Sequence, residues 1–446
     1  MINLGETMDH IVDDIITKLS KHVEYSEVFL EQEKSTEISV LNDEVNYAKE
    51  EDVTGIGVRV LNNKKQGFAY TTNINRIDEV IKQAINNSKL NSPDEFVEII
   101  DKPEQYKEVS GLYDSRIEDV TLQEAIQTCQ NLVEMVKEKD CQPTSAEYEV
   151  AVGKTIIANS NGLFASEEQS SSGISVSLNA KENEGYSSAY AYDVNHTKDL
   201  DITRVVNEST DLAKNSRNGK ATETRTTNVV LDYFAITSLL GTFFSALSSE
   251  NTQRGRSYFK DKLGEQVASE SFSLYDDATI PGANSSSKFD DEGTPSESTV
   301  LIKDGILESF IYDTYHANKD ENDVKTTSNA KRSGFNSVPH VGFTNLKLDF
   351  KEVTNISDIM DGITVNSVMG AHTANPITGD FSVEARNAFE IKNGEIKSPI
   401  KKAMISGNIF DILKTASAVT KETRQMGATI TPKIIAKNLR VIGWTY

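Results

Sequence analysis

Cysteine is almost missing from this 446-residue chain: Cys129 and Cys141 are the only two. They form no CxxC pair, which excludes a zinc knuckle or a dithiol redox motif, and a buried, reduced thiol is the expectation for both. No run approaches the eighteen apolar residues that a membrane-spanning helix requires. The first residues, MINLGETMDHIVDDIITKLSK, are amphipathic and acidic rather than apolar. With so few cysteines and no secretory leader, the expected location is the cytoplasm. Basic blocks are also lacking. Lys and Arg total 46 against 68 Asp and Glu, so the net charge is 46 − 68 = −22. Such a chain repels phosphate backbones, and direct nucleic-acid binding is not expected. None of the six histidines (His10, His22, His196, His316, His340, His372) is followed by Glu. Neither a Gly-x-Ser-x-Gly elbow, a P-loop nor a dinucleotide fingerprint occurs.

What the chain does contain is an internal repeat. Residues 38–60 moved forward by 118 positions fall on 156–178 without a gap, matching Ile38 to Ile156, Glu50 to Glu168, Gly55 to Gly173, Ile56 to Ile174 and Val58 to Val176. Amphipathic helices are expected before each copy, at about 7–21 and 121–139, and after each, at about 76–89 and 200–215. Each copy reads as strand, turn, strand, polar bend and two further strands. Asn161–Gly162 suits a two-residue hairpin, and Asn42–Asp43 is a looser equivalent. ISVSLNA and GVRVLNN alternate apolar and polar residues, as in a sheet covered on one face. EEQSSSG reads as a flexible loop. The fold class is therefore α+β: residues 1–221 form a domain of duplicated helix–sheet–helix units (about 7–90 and 121–216), joined through a charged, Pro-containing link near 92–116. Residues 222–446 form a β-rich domain with few helices.

In that second half VLIKDGILESFIYD and FEIKNGEIKSPIKK predict tight hairpins at Asp304–Gly305 and Asn393–Gly394. Helices are expected at about 232–249, 356–361 and 408–416, and closing strands in TPKIIAKNLRVIGWTY. The polar stretches 285–298 and 320–333 read as surface loops. The contiguous acids in FDDEG (289–293) diverge from one another, so a turn permitted by Gly293 fits better than a calcium loop. A cryptic metal site of His316, His340 and His372 with Asp380 is conceivable, but scattered surface histidines are the simpler reading.

Residues 236–259, ITSLLGTFFSALSSENTQRGRSYF, repeat Leu239, Leu240, Phe243, Phe244 and Leu247 at helical spacing before a tight QRGRSYF. The stretch resembles the signature helix of the TldD/PmbA family of zinc metallopeptidases, also called putative modulators of DNA gyrase. Further blocks carry the resemblance: KLGEQVASE (262–270), SLYDDA (273–278), FDDEG, IKDGILESFIYDTYHANK (302–319), NPITGDFSVEA (375–385), FEIKNGEI (389–396) and ISGNIFDIL (405–413). It implies family-signature residues at Arg254, Gly255, Asp290, Asp291, Glu292, Gly293, Arg332, Gly379 and Asp380, none with an assigned chemical step.

In the catalytic branch the helix carries His-Glu-x-x-x-His just before an Arg-Gly pair. Counting back from Arg254–Gly255 places that motif at Leu240 to Ser245, where Leu-Gly-Thr-Phe-Phe-Ser supplies no zinc ligand. The catalytic branch takes its third ligand from a cysteine near the C-terminus, and the corresponding VTKETRQMGATITPKI has none. The chain thus looks like the TldE (PmbA) branch. The resemblance implies a non-catalytic subunit that binds no cofactor of its own, pairs with a zinc-bearing TldD-like subunit or with itself, and serves proteolysis or processing of extended peptides. The alternatives are a metallopeptidase with relocated ligands and a homodimeric peptide-binding protein.

Overall fold

Strands and helices follow one another twice in the first 215 residues. In the computed structural model, residues 4–443 are described, with side chains from Met8 onward; the last three residues of the expected closing strand lie outside them. The first copy runs α1 (Leu4–Leu19), β1 (Tyr25–Leu41), β2 (Glu44–Asn62), β3 (Lys65–Thr71) and α2 (Ile77–Leu90). The second runs α3 (Leu122–Glu138), β4 (Gln142–Asn159), β5 (Phe164–Lys181), β6 (Tyr186–Asn195) and α4 (Ile202–Asn215). All six strands form one antiparallel sheet in the order β3-β2-β1-β4-β5-β6. The copies meet where β1 pairs with β4. Lys34 stands opposite Val152, and 152 − 34 = 118 is the repeat offset itself, so a pseudo-twofold axis passes through that pair.

Each copy holds three strands, not four. The polar bend expected in each copy and the flexible loop expected at EEQSSSG are absent, because β2 and β5 run on without interruption. These polar residues are contiguous and so point alternately to both faces; continuous pairing with β1 and β4 carries the strands through them. The hairpin turns also differ. Asn42 (φ 46°) and Asp43 (φ 71°) make a true two-residue turn, as do Asn63 (φ 51°) and Lys64 (φ 58°), which the sequence did not signal. At Asn161–Gly162 only Gly162 has positive φ, at 85°. The connection there is a four-residue loop, because the Asn159 side chain accepts the amides of Asn161 (2.9 Å) and Leu163 (3.2 Å).

The four helices cover one face of the sheet. Val12, Ile15 and Leu19 meet Val58 and Val60 in one cluster; Cys129, Leu132 and Val136 meet Val176, Leu178 and Val205 in the other. Both cysteines are buried. Burial, reinforced by Glu147, pushes the Cys129 thiol up to about 12. Cys129 is therefore expected to resist a thiol-disulfide reagent at pH 8 in the native protein and to react at once in denaturant. Rapid native labelling would show that α3 opens readily.

The second half runs β7 (Arg225–Leu231), α5 (Tyr233–Ser245), α6 (Ser249–Gln253), β8 (Phe272–Asp277), β9 (Ser298–Lys303), β10 (Ile306–Leu307) and α7 (Thr314–Asn318). It continues through β11 (Ala330–Lys331), β12 (His340–Val341), β13 (Leu346–Phe350), β14 (Asp361–Met369), β15 (Asp380–Lys392), β16 (Glu395–Ile400) and β17 (Ala403–Asn408). It ends with α8 (Ile409–Thr415), β18 (Ser417–Ala418), β19 (Arg424–Met426), β20 (Thr429–Thr431) and β21 (Ile434–Gly443). Strands β14, β7, β21, β17 and β15 close into a ring, since β15 also pairs with β14. A second sheet has the order β10-β9-β8-β13-β20-β19. Both glycine hairpins form as expected, with φ of 50° and 82° at Asp304–Gly305 and 52° and 75° at Asn393–Gly394.

Three expectations change here. The helix at 232–249 ends at Ser245, because the chain turns so that Ile311 N–H can bond to Leu247 O (3.0 Å). The helix expected at 356–361 is a single 3-10 turn, Ile356–Asp358. The segment 285–298 is irregular but largely interior, with Ser286, Asp290, Glu292 and Ser296 buried; 320–333 begins on the surface as expected, with 321–323 exposed, and turns inward at Ser328 and Asn329. Their polar groups satisfy one another, as in the 2.9 Å bond from Asn329 Nδ2 to buried Asp276.

Candidate functional site

Helix α5 lies in the main core of the second half. Asp232 caps it, accepting Tyr233 N–H at 2.7 Å, and Lys433 binds the other carboxylate oxygen at 2.7 Å. Leu239, Leu240, Phe243 and Phe244 share one apolar cluster with strands of the ring and of the second sheet. Phe243 packs against Phe259 (centroids 5.2 Å apart) and Phe410 (5.7 Å). Leu240, in the place of the first imidazole of the catalytic motif, is fully buried. Gly241, in the place of the general base, has open space where a side chain would stand. Ser245, in the place of the second imidazole, donates its hydroxyl to Thr242 O at 2.8 Å. The segment corresponding to the third ligand, β19 and β20, does pack against α5. The fold thus brings both places together, but the side chains present do not fit zinc. Among the described residues, no group of three or more His, Cys, Asp or Glu could hold a metal ion.

The signature acids gather elsewhere, between the polar face of the first sheet and the irregular segments of the second half. Glu27 of β1 takes a bidentate pair from Arg59 of β2 (2.9 and 2.7 Å) and a further bond from Arg332. All three side chains are about 95% buried or more. Burial alone would push the Glu27 carboxyl up; the two guanidiniums outweigh it and hold it below the usual range. Burial and the like charge of Arg59 pull Arg332 down, yet a guanidinium stays protonated at neutral pH. Arg332 N–H bonds to Asp291 Oδ2 (2.6 Å) and its Nη1 reaches Ser337 O (2.8 Å).

Asp290 accepts the amides of Glu292 (3.0 Å), Thr294 (2.9 Å) and Ala330 (3.1 Å), and so shapes the turn in which Gly293 sits at φ 88°. Burial, then the adjacent Glu292, pushes the Asp290 carboxyl up. Burial likewise raises Glu292, although Arg59 stands 3.9 Å away. FDDEG is thus a turn, as expected.

Arg254 closes α6 and pairs with Glu250 at 2.9 Å. It lines a cavity of about 340 Å³ together with Arg59, Glu292, Asp313, His316 and His340. His316 Nδ1 lies 2.7 Å from Asp313 Oδ1. Two of the three histidines of the conceivable metal site therefore share a cavity; exposed His372 does not line it, and neither does Asp380. Asp380 caps the start of β15 instead, accepting Thr378 Oγ1 (2.8 Å) and Asn408 Nδ2 (2.9 Å). His196 is buried with its ring nitrogens 2.7 and 3.1 Å from the carbonyls of Ser170 and Ala283. Of the signature set, the fold unites Asp290–Gly293 with Arg332, puts Arg254 beside the adjoining cavity, and leaves Gly379 and Asp380 apart. Glu27 and Arg59 went unnoticed in the sequence because alternation makes a polar strand residue look solvated.

A duplicated sheet domain tied by buried ion pairs to a β-rich second half is what this chain presents, and the models of one metallopeptidase family match three stretches of it. They are the PmbA/TldA metallopeptidase domain 1 (residues 26–88), central domain (115–217) and C-terminal domain (224–443). The chain belongs to the PmbA/TldD family. An uncharacterized protein of Methanocaldococcus jannaschii is 35% identical over 386 residues, 86% of this chain and 88% of that protein. The metalloprotease PmbA of Escherichia coli O157:H7 is 24% identical over 424 residues, 90% of each. The crystal structure of TldE from Thermococcus kodakarensis superposes with a TM-score of 0.90 at 25% identity, covering 97% of this chain and all of that one. No helix among the described residues is long and apolar enough to cross a membrane.

Proposed function

We propose that this chain is the non-catalytic, TldE-like subunit of a TldD–TldE-type zinc metallopeptidase that processes or degrades extended peptides in the cytoplasm. One observation carries the reading: at Leu240, Gly241 and Ser245 the helix presents no zinc ligand, and Leu240 with Phe243 fills the core. Without imidazole and thiolate donors the chain cannot lower the pKa of a bound water. Its contribution is then shape and association, with zinc held by the partner. The purified chain is expected to hold less than a tenth of an equivalent of zinc after dialysis and to leave unfolded peptides intact. Mixed with the TldD-type subunit of the same organism, it should co-elute and support hydrolysis. One tightly held zinc per isolated chain would overturn the reading. A metallopeptidase with relocated ligands has one observation in its favour, the shared cavity of His316 and His340; the same zinc measurement decides between the two.

A further inference from the structure

The polar face of the first sheet is only half covered. Near Glu27, Phe29, Arg59 and Ile157 it packs under the second half. At the β6 edge Tyr190 and Tyr192 pack on Phe234 of α5. Beyond Glu33 the middle strands stay open, and there the face is acidic. Glu33 and Glu37 on β1 and Glu147 and Glu149 on β4 share this face, with Glu37 directly opposite Glu149. Like charges opposed across a strand pair destabilise a sheet, so the fold does not account for the arrangement. None of the four makes an ion pair among the described residues; Lys49, opposite Glu37, is held by Glu51 at 2.6 Å. Burial, then Glu37, Glu33 and Glu147, pushes the Glu149 carboxyl up. On β1, β4 and β5 the face between the glutamates carries the small residues Ser35, Ala151, Gly153, Ser171, Gly173 and Ser175; on β2 Tyr47 donates its hydroxyl to Glu37 and stands beside Glu147 and Glu149.

The same region ends in an unpaired edge. Strand β3 pairs with β2 only at residues 56–62, so among the described residues no strand lies against 44–55 from outside. Val45, Tyr47 and Val53 on this stretch are each about 40% exposed, an apolar rim beside the acidic patch.

We propose that this open acidic face, with the free edge of β2, is the docking surface for a basic face of the TldD-type partner subunit. The inference rests on the function proposed above. Charge complementarity selects the occupant. A second copy of this chain would set glutamates against glutamates in an isologous contact, on a protein already at −22. Four strands by about eight residues span roughly 20 by 25 Å, or about 500 Å². That is most of the ~800 Å² per partner that a stable pair buries, whereas a single extended peptide would cover about one strand's width.

The test uses the full chain and the TldD-type subunit of the same organism. The Glu147→Lys/Glu149→Lys variant is expected to bind that subunit at least tenfold more weakly. Its melting temperature should be unchanged or higher, because like charges have been separated. Asp13→Lys/Glu134→Lys, on the helix-covered side, should bind as the parent does. Affinity of the parent should fall as salt is raised from 50 to 300 mM. Unchanged binding by E147K/E149K would overturn the surface while leaving the heteromer intact. No association even of the parent subunits would overturn both. Loss of peptide binding with assembly intact would assign the face to substrate, and a parental homodimer broken by the variant would assign it to a second copy; either result overturns the inference.

Discussion

A chain carrying Glu27→Gln is expected to lose about 3–5 kcal/mol of stability, the usual cost of stripping one partner from a buried ion pair. Two guanidiniums, those of Arg59 and Arg332, would then lose the carboxylate they share, leaving Glu292, 3.9 Å from Arg59, as the nearest carboxylate to that guanidinium. Urea unfolding at pH 7 measures the loss; a change below about 1 kcal/mol would show that water reaches the site. The pH dependence follows from the sign of the shift. Glu27 is held below its ordinary value of 4.5. Its contribution is therefore complete above that value and disappears as the pH falls through the depressed folded pKa, so parent and variant should converge in acid. Asp290 acts in the opposite sense. Its raised carboxyl stabilises the folded chain below the ordinary range, and the benefit is lost as the pH rises through the folded pKa. Stability of the parent should therefore peak between the two.

The second large effect concerns a pair of glycines matched, or nearly matched, by the repeat. Gly57→Ala is expected to destabilise by about 1–3 kcal/mol, the cost of overpacking. A methyl there would stand 2.3 Å from the carbonyl oxygen of Phe335. The loop following Arg332 would be lifted from the sheet, and Phe335 N–H would leave Glu31, 2.8 Å away. Gly173→Ala in β5 should be neutral or stabilising by a few tenths of a kcal/mol, since its nearest neighbour is Val194 Cγ2 at 3.6 Å. At Gly55, the repeat partner of Gly173, a methyl would stand 2.0 Å from the Phe335 ring, so this site belongs with Gly57. Thermal melts of the two variants compare the sites directly. Equal effects would mean that the second half does not press on β2.

Helix periodicity and Asx-Gly turns were legible because they are local. The four helices of the repeat, the hairpins at Asp304–Gly305 and Asn393–Gly394, and the turn at Gly293 all depend on residues within a few positions of one another. The loop at Asn161–Gly162 was misread for the converse reason. Asn159 supplies two hydrogen bonds from just outside the expected turn and lengthens it. The polar stretch 285–298 and the inward turn at Ser328–Asn329 misled more seriously, since polarity marks exposure only when no other segment can satisfy the polar groups.

The candidate site divides in the same way. That α5 lacks zinc ligands is a property of residue types at Leu240, Gly241 and Ser245, and no packing could alter it. The duplication and the α+β class rest likewise on periodicity along the chain. Which half of the polar sheet face is covered, and which acids end up beside Arg59 and Arg332, depended on contacts between residues some 300 positions apart, such as Glu27 and Arg332. Alternation reports which way a strand residue points, but it is silent on whether water or another domain waits there.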